Sequence, residues 1–314
     1  MNARCLNDSG QVVGWANDGE PYDFLDDTAV FWDPRRGARV LQSLPGAVAS
    51  LALALNNQGQ AVGISGEPFP LSHPVVWRHA SSDPVALPLP EGALGGMATG
   101  INAHGLVIGA IITSEGLASP LAWRNGQPAL LPLNPANPNS EGWCFAVNDR
   151  GTVVGHIDGI PTAWINGSPV TLGSFGGAFG YASSINNRGL IAGSAETPDG
   201  NPHAYMWANG VMVRLGGDEP YSSALSLNNR GEIVGAAGLA NLEGRAVLWT
   251  GTERVWLGDR IPSDSGWTLL EADCINDRGQ ITGIGYHDGQ PRVFLLTPRS
   301  GLDRDACDDR IENP

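Results

Sequence analysis

Lysine is absent: all 18 basic residues of this 314-residue chain are arginine. That removes a phosphate-loop lysine and a Schiff-base lysine, and with them several large enzyme classes. Basic charge is scarce as well. Against 32 acids the net charge is -14 and the isoelectric point about 4.7, so the surface repels phosphate backbones and anionic lipids. No nucleic-acid or membrane partner is expected. No apolar run approaches the roughly 18 residues of a membrane span, and the opening Met1-Asn2-Ala3-Arg4-Cys5 is neither a basic nor an apolar leader region. The chain as it stands reads as soluble and untargeted. Its four cysteines (Cys5, Cys144, Cys274, Cys307) include no Cys-x-x-Cys pair, which excludes a disulfide framework. No stretch carries the periodicity and caps of an amphipathic helix.

What is abundant is glycine, 43 residues, and a repeat. Leu6-Asn7-Asp8-Ser9-Gly10-Gln11-Val12-Val13-Gly14 recurs from Leu55, Ile101, Val147, Ile185, Leu227 and Ile275, always as aliphatic, Asn, x, x, Gly, x, x, x, Gly. The seven asparagines (Asn7, Asn56, Asn102, Asn148, Asn186, Asn228, Asn276) are 38 to 49 residues apart, so fixed cores alternate with variable loops. Each copy continues into an apolar run ending at Trp32, Trp77, Trp123, Trp164, Trp207 or Trp249, with Leu295 in the seventh. Four short strands per copy are expected, the first two joined by an Asn-x-x-Gly turn in which Asn tolerates left-handed angles and Gly supplies positive φ. Seven units of four antiparallel strands predict an all-β, seven-bladed β-propeller over residues 1–298, with blades starting near 2, 51, 97, 143, 181, 223 and 271. Residues 299–314 form a polar tail that offers an outer strand to the last blade.

The pattern resembles the HAF-type repeat of bacterial predicted extracellular proteins. His203-Ala204-Tyr205 and, more weakly, His73-Pro74-Val75 match its triplet before tryptophan, and Leu94-Gly95-Gly96 and Leu215-Gly216-Gly217 match its Leu-Gly-Gly element. The resemblance implies the propeller and an extracellular or periplasmic location; a native start at Met1 would instead place the chain in the cytoplasm. It assigns no chemistry.

Strand alternation puts the uniform first-to-second and third-to-fourth turns on one face and the variable connections on the other, where function is expected. Small residues recur at one position of every first strand (Cys5, Ala54, Gly100, Ala146, Ser184, Ser226, Cys274), which makes Cys5 and Cys274 buried fillers. The next position varies: Arg4, Leu53, Thr99, Phe145, Ser183, Leu225 and Asp273 should line the mouth of the central channel. Ring closure brings Glu271 and Asp273 to Arg4, as an ion pair pinning the closure or as the polar wall of a pocket. Catalytic candidates are Asp273, Glu271, His156, Asp158 and His287, the His156-Ile157-Asp158 pair standing as base and orienter with no partnered nucleophile. Ligand-binding candidates are Arg4, Trp143, Phe145, Tyr181, Tyr221 and Trp267, whose aromatic faces suit a sugar ring or another apolar ligand. The acidic loop 17–27 lacks a regular ligand spacing, so no metal or other cofactor is assigned. Two functions compete. One is a monomeric module binding a glycan, small molecule or partner protein; the other is a small hydrolase, lyase or cyclase with its pocket at the channel mouth.

Overall fold

A computed structural model describes residues 2–16, 27–217, 219–239 and 243–298. The acidic loop apart from Asp27, the tail from 299 and Cys307 lie outside the described residues. The chain forms seven antiparallel sheets, each built from consecutive strands in sequence order. Six have four strands, and three strands of the seventh are described. The only helical element among the described residues is a 3-10 turn at Leu257–Arg260. The first strands are Asn2–Leu6, Ala49–Leu55, Ala93–Ile101, Gly142–Val147, Gly180–Ile185, Tyr221–Leu227 and Trp267–Ile275. Each touches the first strand of the next blade, and the last touches the first, so the seven sheets close a ring around an axis.

The core is divided among the seams between blades. Seven hydrophobic clusters each join residues of two neighbouring blades, for example Val13 and Phe31 with Ala52 and Trp77. Trp77, Trp123, Trp164 and Trp249 are the largest fully buried side chains. Three of them reach back to the preceding blade, their indole N–H groups donating to Gln42 O, Pro88 O and Pro132 O at 2.7–2.8 Å. In these three repeats the terminal tryptophan therefore packs and hydrogen-bonds one blade to the next, whereas the buried Trp249 packs across its seam without such a bond among the described residues.

The two glycines of the repeat do different work. The first (Gly10, Gly59, Gly105, Gly151, Gly189, Gly231, Gly279) turns the chain at φ of 76–88°. The second faces a β-bulge that interrupts every first strand at one position. A Cβ there would stand 1.8–2.1 Å from a carbonyl oxygen of the bulged strand, as Gly155 would from Trp143 O. The skipped residues are Arg4, Leu53, Thr99, Phe145, Ser183, Leu225 and Asp273, so the variable position is the one the bulge re-aims. The Thr99 and Ser183 hydroxyls donate to Cys144 O and Ala224 O of the following blade, both at 2.7 Å, which places this tier around the axis.

Candidate functional site

At the uniform-turn end the seven repeat asparagines, all at most 5% exposed, form a closed circle. Each Nδ2 donates to the backbone oxygen of the next asparagine at 2.9–3.1 Å, ending with Asn276 to Asn7. Each Oδ1 accepts from the backbone N–H groups two and four residues on, as Asn148 does from Arg150 and Thr152. None of the seven has the left-handed backbone expected of it. That conformation falls on Asn125, Asn166 and Asn209 in the third-to-fourth turns, where the side chain is free of ring duty. A second, open arc follows one residue later, broken only at Ala103, in which Asp149 N–H donates to Asn187 Oδ1 and Asn187 Nδ2 returns to Asp149 at 2.7 Å. The cavity of about 200 Å³ at the axis lies at this end, lined by the aliphatic residue, the asparagine and the residue after it from every blade. The sequence directs attention to the opposite face, yet this open cavity lies at the scaffold end. Its polar groups are already paired with one another. Among the described residues no three His, Cys, Asp or Glu side chains are placed to share a metal ion.

At the variable-loop end the rings of blades two, four and five form two groups, one pairing Phe69 with Trp143 and one gathering Phe145, His156, Phe179 and Tyr181. Phe69, on the second-to-third loop of blade two, meets Trp143 of blade four with centroids 5.8 Å apart. To reach it the loop crosses blade three, where a Cβ on Gly95 would be 2.2 Å from Pro70 O. Phe145 packs against Tyr181 at 5.8 Å and against His156 at 5.9 Å, and Phe179 packs against His156 at 5.4 Å and Tyr181 at 6.2 Å. Tyr181 is fixed from outside: its hydroxyl lies 3.2 Å from Ser223 Oγ, and Tyr205 donates to its carbonyl. Phe69 and Phe179 stay 37% and 46% exposed, with Leu71 and Ile160 also open. An aromatic surface of this extent is unusual for a side chain set that could have been buried.

The arc continues into a polar wall. Removal from water raises the Tyr221 phenol pKa, helped by the nearby Glu271 and Tyr181. Removal from water also pushes the Asp273 carboxyl well above the usual carboxylate range, Glu271 pushes it further as a charge and hydrogen-bonding neighbour, and the Arg4 charge only partly offsets them. Arg4 itself is exposed and stands on its bulge. The expected ion pair at the closure is not formed: among the described residues neither acid comes within 4 Å of Arg4. The bulge turns Arg4 outward to water, and the acids turn to each other.

His156 and Asp158 do not act as a pair. The strand Val153–Ile157 ends between them, and Asp158 sits in the hairpin at φ 50°. His156 is buried between Phe145 and Phe179, its Nδ1 accepting from Gly159 N–H at 3.3 Å, and desolvation lowers its pKa. Desolvation opposes ionisation of Asp158, but hydrogen bonds from Glu141 N–H, Asn137 and Ser140 outweigh it and hold the carboxyl below the usual range. Asp158 thus ties down the 137–141 loop. His287 stacks on Trp267 at 4.9 Å, and Trp267 packs on Phe294 in the core of blade seven, apart from the arc. Phe69 and Phe179 were not among the sequence candidates. Phe179 lies two residues before Tyr181 in the same connection, so alternation alone signals it; Phe69 arrives through a crossing loop that only the fold reveals.

Solved structures share the architecture. A puromycin-hydrolyzing peptidase of Mycobacterium tuberculosis matches with a TM-score of 0.60 and 12% identity, over 100% of this chain and 52% of its own. An acylaminoacyl peptidase of Pyrococcus horikoshii matches at 0.53 and 12%, over 96% and 52%. TolB from Acinetobacter baumannii matches at 0.52 and 15%, over 78% and 62%. The chain spans about half to three-fifths of the length of these proteins. Identities this low establish the propeller fold alone. No protein-family model and no curated protein matches the chain.

Proposed function

We propose that the protein is a binding module whose variable-loop mouth takes a carbohydrate. The apolar faces of sugar rings would lie on Trp143, Phe145, Tyr181 and the flanking Phe69 and Phe179. The ring hydroxyls would pair with Tyr221, Glu271, Asp273 and Arg4. The observation that carries the reading is the pair of ring clusters at this end, Phe69 on Trp143 and Phe145 and Phe179 on Tyr181, with Phe69 and Phe179 open to water. Titration calorimetry with a panel of neutral oligosaccharides tests it. Wild type should bind at least one, and Trp143→Ala should weaken that binding at least tenfold, about 1.4 kcal/mol, with an unchanged melting temperature. Equal affinity in the variant would remove Trp143 from the site. Binding only to a protein partner would replace the ligand class.

A second reading, a glycoside-cleaving or lyase enzyme, is favoured by one observation: Asp273 stands beside the Glu271 carboxyl, and desolvation together with that neighbour raises its pKa well above the usual carboxylate range, an arrangement suited to general acid and base. Turnover of a bound glycoside that Asp273→Asn abolishes without loss of binding would establish it. The His203-Ala204-Tyr205 and Leu-Gly-Gly elements support reading the repeat as a divergent HAF-type one, with an extracellular location.

A further inference from the structure

Blade one is the N-terminal end of the described chain and blade seven the C-terminal end, and no strand of either joins the other's sheet. Among the described residues the ring is therefore closed by side-chain and backbone contacts: Asn276 to Asn7 O, Asp277 N–H to Asp8, and a hydrophobic cluster shared between the two blades. Within that cluster lie two thiols. Cys5 and Cys274 occupy the same position of their first strands, where other blades carry Ala54, Gly100, Ala146, Ser184 and Ser226.

The geometry of that position repeats around the ring. Ser184 Oγ accepts from Leu227 N–H of the next blade at 3.2 Å, Ser226 Oγ accepts from Ile275 N–H at 3.3 Å, and Cys274 Sγ accepts from Leu6 N–H at 3.2 Å. Side chains at this position also approach one another from blade to blade, as Ser226 Oγ and Cys274 Sγ do at 3.9 Å. Cys5 stands to Cys274 as Cys274 stands to Ser226: Cys274 Sγ lies 3.2 Å from the N–H and 3.8 Å from the carbonyl of Leu6, the residue next to Cys5, and both cysteines pack in the same cluster. Both thiols are free. Serine or alanine would fill this position, so cysteine in the only two blades that must meet without a chain connection adds a capability beyond filling. Cys5 is the more accessible of the two, half-buried where Cys274 is buried.

We propose that Cys5 and Cys274 are a redox-modification site, a dithiol that a low-molecular-weight disulfide such as oxidised glutathione converts into a covalent clasp across the ring closure. The Cys5 thiolate attacks one sulfur of the oxidant, forming a mixed disulfide and releasing one thiolate. Cys274 gives up its proton to solvent and attacks Cys5 Sγ, forming the Cys5–Cys274 bond and releasing the second thiol. Two electrons and two protons pass to the oxidant, which is reduced to two thiols. The order follows from the pair. The hydrogen bond from Cys274 is the largest influence on Cys5 and draws its pKa down to about 7, while the same contact, with burial, holds Cys274 up. Cys144, in contrast, is pushed up to about 12 by desolvation and stays a filler.

The test uses the full chain. Protein incubated with oxidised glutathione is alkylated, digested without reduction and analysed by mass spectrometry, beside Cys5→Ser and Cys274→Ser, whose new side chains already occur at this position in blades five and six. The expected result is a peptide pair linked through Cys5 and Cys274, present only in the wild type and lost on reduction. Its melting midpoint should lie roughly 5–10 °C above that of the reduced protein, because the clasp closes a loop of almost the whole chain. Recovery of both cysteines alkylated, of a glutathione adduct on Cys5 that never resolves, or of a bond from Cys5 to Cys307 would overturn the proposal.

Discussion

Replacing Asn148 by alanine asks whether the asparagine circle holds the ring together. The side chain is 4% exposed and makes three hydrogen bonds, to Asn186 O at 3.1 Å and from the N–H groups of Arg150 at 3.1 Å and Thr152 at 3.0 Å. At about 1 kcal/mol net for each of the three bonds, the Asn186 carbonyl keeping the Gly189 N–H, the loss should be about 3 kcal/mol. That corresponds to a fall in melting temperature of roughly 4–5 °C for a chain of this size. Urea unfolding followed by far-ultraviolet circular dichroism reads the change, with the midpoint shifting and the slope retained. Asn139→Ala is the control: Asn139 is exposed, and its variant should stay within about 0.5 kcal/mol of wild type. A loss below about 1 kcal/mol for Asn148→Ala would refute the reasoning, because it would show that water replaces the circle at no cost.

Gly155→Ala should fail to fold or lose more than about 4 kcal/mol, since its Cβ would meet Trp143 O at 1.9 Å and Cys144 Cα at 2.8 Å, both backbone atoms fixed by the bulge. Gly167→Ala, with φ at 81° and open space around it, should cost only about 1 kcal/mol; urea midpoints of the two separate close approach from backbone angle. The pH dependence of stability should carry the signature of two neutral buried histidines. Desolvation lowers the pKa of His156, and desolvation followed by the Arg214 charge lowers that of His203. The unfolded chain takes up protons near pH 6.5 while the fold does not, so stability is intact above about pH 6.5 and falls as pH drops towards the folded values. Thermal melts between pH 7 and pH 5 should show this slope, and a His156→Gln, His203→Gln variant should flatten it.

The blade number and the strand order were readable because they rest on local chemistry repeated seven times. A turn glycine and an aliphatic run each act within one blade, the tryptophan closes the same strand in six of the seven copies, and their period survives loops of uneven length. What could not be read is what passes between blades. Asn148 looks like any turn asparagine until the next blade puts a carbonyl beside it. Gly155 looks like a strand glycine until the bulge on the paired strand opposite fills the place of its side chain. The site was readable to the same limit. Trp143, Phe145 and Tyr181 stand at first-strand positions that the repeat aligns, and the fold brings them into one arc. Trp267 occupies a similar place in sequence, but an extended strand in blade seven carries it back over Phe294. Arg4 and the two acids share a level of the ring, yet the bulge separates the partners that level alone would join.

The most direct test of a carbohydrate-binding mouth is amide hydrogen exchange with and without the tightest oligosaccharide of the panel. The account predicts protection in Gly142–Val147, Gly180–Ile185 and the 67–72 loop, with the asparagine turns unchanged. Protection confined to those turns would move the ligand to the cavity at the opposite end of the axis. An absence of binding across the panel would contradict the carbohydrate reading altogether.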